Sequence, residues 1–233
     1  MKYYFGGYYL IRLKPIDFGS EVGKSVYTCG HINDNLLSIW AYSWTTGSNE
    51  AAEIAKDYFK LTDDSINSIR TWVDKKYKEK KVGWLNVFTE IESAFEYKNT
   101  FFSHLDNVKI LALYFDENEA KDILEEFKPQ SKKECEIGLR LVLLKQREEI
   151  ENDNELFLGY DFIGIEYGFG DFHTFHCHDI GTELSDKFKL NMNKYGLFNK
   201  EKEWKPVIDY LNDEKSPVEP LPWFVTKTKL ITK

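Results

Sequence analysis

Six consecutive residues, His173 to His178, contain three of the five histidines and one of the three cysteines of the chain. Imidazole nitrogens and thiolates are the ligands that zinc prefers in proteins, and a thiolate beside an imidazole can act as a nucleophile. This His-rich segment, residues 173–178, is therefore the first place to look for metal binding or thiol chemistry.

A zinc site here would combine His173, His176 and His178 with Asp179. In an extended chain His176 and His178 point to one face and His173 to the other, whereas on a helix His173 pairs with His176 and His178 turns away. No regular structure gathers all three histidines, so a metal site requires an irregular loop, or the pair His176 and His178 completed by His31, His104 or a distant carboxylate. We favour histidines that satisfy polar groups at a turn, and keep a metal-dependent hydrolase as the alternative function.

A thiol enzyme would use Cys177 as the nucleophile and His173, four residues earlier, as the base. In such enzymes the base normally comes from another part of the fold, where its ring can approach the sulfur. The sequence therefore predicts no catalytic, metal-binding or cofactor-binding residues and no cofactor.

A second motif, Gly19 to Ser25, reads GSEVGKS and ends like a phosphate-binding loop. That loop needs four residues between its glycines and a helix that begins at the lysine. Here three residues intervene, and Ser25–Cys29 has the composition of a strand. We predict an ordinary glycine turn at this motif.

The elements on either side of the His-rich segment predict its place in the fold. A predicted strand, Leu156–Tyr167, precedes it, and apolar residues recur every four positions over residues 180–188 after it. The segment is thus predicted to connect a strand to a helix. Phe172 and Phe175 are expected to anchor it in the core, with Cys177 as a small buried hydrophobe.

Hydrophobic periodicity along the chain predicts both strands and helices. The predicted strands are Tyr3–Lys14, Ser25–Cys29, Leu36–Trp44, Gly83–Phe88, Val108–Phe115, Ile137–Leu144, Leu156–Tyr167 and Trp223–Ile231. Leu36–Trp44 also fits a buried helical turn, and Ile137–Leu144 is predicted to form a long hairpin with Leu156–Tyr167. Helices are predicted after the N-cap candidates Ser48 and Thr62, from Thr89 to Phe101, after Asp116, from Asp179 to Phe188, and near Lys202–Leu211.

Two finer predictions concern side chains. One face of the first strand is predicted to carry Tyr3, Phe5, Tyr9, Ile11 and Leu13. The stretch DENEAKDILEEFKP begins with a capping box, in which Asp116 accepts a hydrogen bond from the backbone N–H of Glu119 while the Glu119 side chain reaches back.

The composition indicates a folded, acidic protein. With 42% hydrophobic and 16% aromatic residues, the chain can bury a sizeable core. Its net charge of −8 argues against general nucleic-acid binding, which needs a surplus of lysine and arginine on some face. The one basic run, Lys75–Lys81, is interpreted as the end of a helix, where cations complement the helix dipole.

No Ser/Gly-rich linker, internal repeat or shift in composition divides the 233 residues. We therefore predict one α+β domain over residues 1–233, with a mixed or largely antiparallel sheet and several helices packed on it. The N-terminus is a poor signal peptide, and no apolar stretch approaches the length of a membrane span. The odd number of cysteines, without a CxxC pair, favours the reducing cytoplasm.

Several motifs are similar to those of one group of proteins. They are Cys29-Gly30-His31, Trp40-Ala41-Tyr42-Ser43-Trp44, Gly159-Tyr160-Asp161, Phe172-His173-Thr174-Phe175 with Cys177, Asn193 with Gly196-Leu197-Phe198, and Glu219-Pro220 with Trp223. This scattered pattern resembles uncharacterised bacterial proteins of the immunity type, which accompany polymorphic toxins.

The resemblance implies binding without catalysis. A protein of this type is acidic and cytoplasmic and masks the active site of a toxin domain, so the expected partner is a basic cognate toxin such as a nuclease. The resemblance names neither the toxin nor the contact residues. The many aromatic residues and the surplus of acidic residues suit such a role, and neither nucleic acid nor a membrane is an expected partner.

Overall fold

The computed structural model of the protein describes residues 2–12, 14–17, 22–25, 56, 59–83, 87–128, 139–165, 172–178, 180–199 and 203–232. The strands are β1 (Tyr3–Arg12), β2 (Lys14–Asp17), β3 (Val22–Ser25), β4 (Val82–Gly83), β5 (Val87–Phe88), β6 (Val108–Asp116), β7 (Glu155–Ile165), β8 (Phe172–Thr174) and β9 (Trp223–Ile231). The helices are α1 (Asp63–Lys78), α2 (Ile91–Phe101), α3 (Glu117–Glu126), α4 (Leu139–Leu144), α5 (Gly181–Phe188) and α6 (Lys205–Leu211). A 3₁₀ turn covers Phe175–His178.

Within these residues, seven strands form one sheet in the order β4-β5-β1-β6-β9-β7-β8, and every neighbouring pair is antiparallel. Strands β2 and β3 form a separate antiparallel pair. The predicted α+β fold with a largely antiparallel sheet is confirmed, as are the strands at β1, β6, β7 and β9.

The sheet carries a buried cluster on each face, and helices cover both. Along β6, Leu111 and Leu113 belong to the first cluster, which also receives side chains from α1, α2 and α3. Tyr114 on β6 and Trp223 on β9 belong to the second cluster, which receives side chains from α5 and α6. This alternation follows from the two-residue period of a strand.

A bulge at Gly7 changes the face to which β1 side chains point. The pairing of β1 with β6 shifts register between Phe5 and Gly7, where the backbone takes φ +127°. A Cβ at Gly7 would lie 2.0 Å from Cγ1 of Val87, so only glycine fits. Phe5 therefore packs in the second cluster and Tyr9 in the first, and the prediction of one common face for β1 is wrong.

The predicted strand Ile137–Leu144 is also wrong. The described part of this stretch, α4, is a helix that buries Leu139, Val142 and Leu143 at helical spacing. It forms no hairpin with β7, whose partners are β9 and β8. A short apolar run has the same local pattern in a buried strand and in a buried helix, and tertiary packing decides between them.

The starts of two helices agree with the capping residues predicted from the sequence, with one exception. Oγ1 of Thr62 accepts from the backbone N–H of Ser65 at the start of α1, as predicted. Oδ1 of Asp116 accepts from the backbone N–H of Glu119 at 3.0 Å, which confirms half of the capping box. The other half is wrong, because Oε2 of Glu119 instead accepts from the backbone N–H of Val225 on β9, at 3.0 Å.

The basic run lies at a helix end, as predicted. Helix α1 ends at Lys78 and has Lys75 and Lys76 in its last turn. The ammonium of Lys76 lies 2.6 Å from the carboxylate of Glu96 on α2, so one of these cations joins two helices.

Some predictions fall largely outside the described residues. These are the strands Ser25–Cys29 and Leu36–Trp44 and most of the helix after Ser48. Lys24 and Ser25 lie in strand β3, whereas a phosphate-binding loop needs a helix to begin at this lysine. Within the described ranges, no helix has the length and apolar character required to cross a membrane.

Candidate functional site

The His-rich segment connects a strand to a helix, as predicted. Its first residues lie in β8, which pairs with the end of β7, and the 3₁₀ turn then leads to α5. The Phe175 side chain is fully buried and packs with Phe162 and Phe198, which confirms its predicted role as an anchor. The side chains of Phe172 and Cys177 lie outside the described part of the chain.

The two histidines of the 3₁₀ turn have different neighbours. Nε2 of His176 lies 2.7 Å from the carbonyl oxygen of Gly196, and because a carbonyl can only accept, this nitrogen carries the hydrogen. The ring of His178 packs edge-on against Trp223, with 5.6 Å between centroids. Both histidines are half-buried. The prediction that histidines satisfy backbone carbonyls is confirmed for His176.

The runner-up metal site consists of His173, His176, His178 and Asp179. The side chain of His173 and the whole of Asp179 lie outside the described residues. Among the residues that the structure does describe, no group of three or more histidine, cysteine, aspartate or glutamate residues is placed to hold a metal ion.

Several of the motifs behind the resemblance meet in one structural unit next to this turn. Gly159 has φ +147° at a bulge in β7, and a Cβ there would lie 2.6 Å from Cβ of Leu197. The turn from Asn193 to Leu197 therefore packs directly on the strand, and the backbones of Tyr160 and Phe198 exchange two hydrogen bonds. These contacts give the motif residues a role in packing.

A buried network of charges lies on the face of the sheet that carries the second cluster. The ammonium of Lys229 lies 2.5 Å from the carboxylate of Glu149 and 3.3 Å from that of Glu155, and Lys227 lies 2.8 Å from Glu149. Burial raises the pKa of Tyr114, which donates to both oxygens of Glu155, and the Glu155 charge raises it further. Two cations face two carboxylates, so the arrangement is that of a structural ion cluster.

A groove of about 470 Å³ lies between α3 and residues 208–224. Its carboxylates are Glu119, Asp122 and Glu126 from α3, and Asp213 and Glu214 from the segment after α6. No lysine, arginine or histidine is among the residues that line it. We call it the acidic groove.

Most of the surface that lines the acidic groove is apolar, with contributions from Pro220, Leu221 and Pro222, whereas Trp223 and Phe224 lie buried behind it. The side chain of Asn212, at the end of α6, accepts from the backbone N–H of Trp223 at 2.8 Å and donates to its carbonyl oxygen at 3.2 Å. These two bonds fix the end of α6 against the start of β9. The shape of the groove is therefore set by rigid elements.

Glu119 is the least exposed carboxylate of the acidic groove. It is half-buried, whereas Asp122, Glu126, Asp213 and Glu214 are exposed. Burial raises the pKa of Glu119 to about 8, which outweighs the opposite effect of the hydrogen bond from Val225, and Asp116 and Asp122 add to the rise. At neutral pH this carboxyl group is largely protonated, although it lies in a groove that is open to a ligand.

No protein-family model matches this chain, and neither curated proteins nor solved structures provide a match. The resemblance to immunity-type proteins stays a prediction. The acidic groove is a candidate binding surface that the structure adds to it.

The pattern of the sequence does not predict this groove. One wall had a local signal, because Glu119, Asp122 and Glu126 are three and four residues apart and lie on one face of a helix. The other wall comes from residues more than eighty positions later, and no local pattern brings the two together.

Proposed function

We propose that the protein is a non-enzymatic binding protein of the immunity type, which neutralises a basic cognate toxin domain by covering its active site. The acidic groove carries this proposal. It combines an apolar lining with four exposed acidic residues and the carboxyl group of Glu119, and the described residues that line it include no lysine, arginine or histidine; a surface of this composition complements a basic, partly apolar segment of another protein.

The charge of the whole chain supports the same partner. A net charge of −8 attracts a cationic protein over a distance and raises the rate of encounter, while the groove provides the local contact. The largest buried charge cluster, around Lys229, is internally paired, and the proposed function requires no reactive group.

Co-expression tests the proposal. Toxin domains encoded next to this gene are expressed in bacteria with and without the protein, and we expect the wild type to restore growth. Asp122→Lys should abolish protection, because it places a cation in the groove. Glu125→Lys is the matched control, since it makes the same charge change at an exposed position of α3 that does not line the groove.

Two results would contradict the proposal. One is that no neighbouring gene encodes a toxin that the protein relieves. The other is that Asp122→Lys protects as well as Glu125→Lys, which would remove the groove from the binding surface.

A further inference from the structure

The acidic groove holds one carboxyl group in a special position. We propose that the groove seats a lysine- or arginine-bearing segment of the partner with its cationic group on Glu119, and that Glu119 releases a proton as this contact forms. The inference rests on the proposed function and adds the chemistry of the central contact.

Glu119 has a fixed place in the wall of the groove. Its Oε2 atom accepts from the backbone N–H of Val225, at 3.0 Å, so the side chain bridges α3 and β9. The side chain is half-buried, and it lines the groove with the partly exposed Leu221 and Pro222. A cationic side chain that enters along the apolar lining therefore meets a carboxyl group that is already oriented.

The charged groups around Glu119 all oppose its ionisation. Asp116 and Asp122 lie on the same helix or at its cap, and Asp213 and Glu214 line the groove from the segment after α6. The residues that line the groove include no lysine, arginine or histidine to compensate a negative charge. With its pKa at about 8, Glu119 keeps its proton at pH 7 until a cation arrives.

A bound cation favours the ionised form of the Glu119 carboxyl group. An opposite charge within hydrogen-bond distance lowers the pKa of a carboxyl group by roughly 1–3. This change is large enough to bring the pKa of Glu119 to about 7 or below, so the proton passes to solvent as the ion pair forms. We expect about half a proton or more to be released for each cationic segment bound at pH 7.

Calorimetry with a defined probe tests this inference. Amidated tetra-arginine is titrated into the full chain at pH 7 in buffers of different ionisation enthalpy, and the dependence of the observed enthalpy on the buffer gives the number of protons released. The neutral isostere tetra-citrulline is the control ligand and should not bind. Glu119→Gln should bind tetra-arginine without releasing a proton, and its fold is checked by circular dichroism.

Two exposed positions on α3 control for general charge attraction. Asp122→Asn should weaken binding and, because Asp122 contributes to the raised pKa of Glu119, reduce the proton release without abolishing it, whereas Glu125→Gln, outside the groove, should change neither. Absence of tetra-arginine binding would overturn the inference, and so would binding without proton release or proton release that persists in Glu119→Gln. The co-expression test of the proposed function is independent of these results, so the two can fail separately.

Discussion

The side-chain amide of Asn193 donates a hydrogen bond to the carbonyl oxygen of Leu158, at 2.7 Å, next to the bulge at Gly159. The same amide nitrogen donates to Oδ1 of Asn199, and Oδ1 of Asn193 accepts from the backbone N–H of Tyr195. One side chain thus shapes its own turn and attaches this turn to β7.

Asn193→Ala should lower the free energy of unfolding by about 2–4 kcal/mol, because it removes several hydrogen bonds and leaves polar groups without their partner. Asn199→Ala removes only one of these bonds at an exposed position and should cost under about 1 kcal/mol. Urea denaturation followed by circular dichroism measures both. Equal losses would mean that the attachment to Leu158 contributes little.

Asp161 makes folding stability depend on pH. Its side chain is 2% exposed, and Oδ1 has no hydrogen-bond partner among the residues that the structure describes. Burial raises its pKa well above the ordinary value, although a hydrogen bond from the backbone of Phe162 opposes the rise. The folded state therefore holds this proton more tightly than the unfolded state. The contribution of Asp161 to folding stability is fully present below about pH 4 and is lost as the pH rises.

The free energy of unfolding of Asp161→Asn, relative to that of the wild type, should consequently increase as the pH increases from 4.5 to 8, because asparagine does not titrate. The measurement is the difference in free energy of unfolding between the two proteins at each pH. Glu119 contributes a pH dependence of the same sign up to about pH 8, so both proteins are also compared in the Glu119→Gln background. A difference that is identical at both pH values would contradict the buried, protonated state of Asp161.

Lys229→Met should destabilise the protein by about 3–5 kcal/mol, because it leaves the buried carboxylates of Glu149 and Glu155 with less compensation. Lys205→Met is the matched control. Lys205 is exposed and pairs with Asp209 at 2.8 Å, and such surface pairs contribute under about 1 kcal/mol. Thermal and chemical unfolding of the two variants should differ clearly, and similar stabilities would show that the network around Lys229 is dispensable.

Phe175→Ala should cost about 3–5 kcal/mol, because it empties a fully buried aromatic position. His178→Ala should cost about 1 kcal/mol, which corresponds to the edge-on contact with Trp223. Chemical denaturation gives both values. A loss at His178 as large as that at Phe175 would show that this histidine belongs to a larger buried network.

The sequence predicts much of this fold because most elements have a strong local pattern. Strand β9 occurs at Trp223–Ile231, as predicted, and α1 begins after the predicted cap at Thr62. The failures share a physical cause. Whether Leu139–Leu144 becomes a helix, and whether β1 changes face at Gly7, depends on contacts with distant elements, which a local period does not contain.

The candidate site was less predictable than the fold. The histidines are candidates for metal binding because imidazole is a good zinc ligand. The described contacts of His176 and His178, however, are to a backbone carbonyl and to an aromatic ring. The spacing of Glu119 from Asp116 predicts that the Glu119 side chain takes part in the helix cap. Its actual partner, the backbone of Val225, is 106 residues away, and only the assembled sheet brings the two together.

The position of β9 has a consequence for synthesis of the protein. This strand, near the end of the described chain, lies between β6 and β7 in the middle of the sheet. While a ribosome is still translating the residues before Trp223, the long strands β6 and β7 each have an unpaired edge, and such edges readily pair with other chains. Nascent chains are therefore expected to be most prone to aggregation until β9 has been translated and pairs with both β6 and β7.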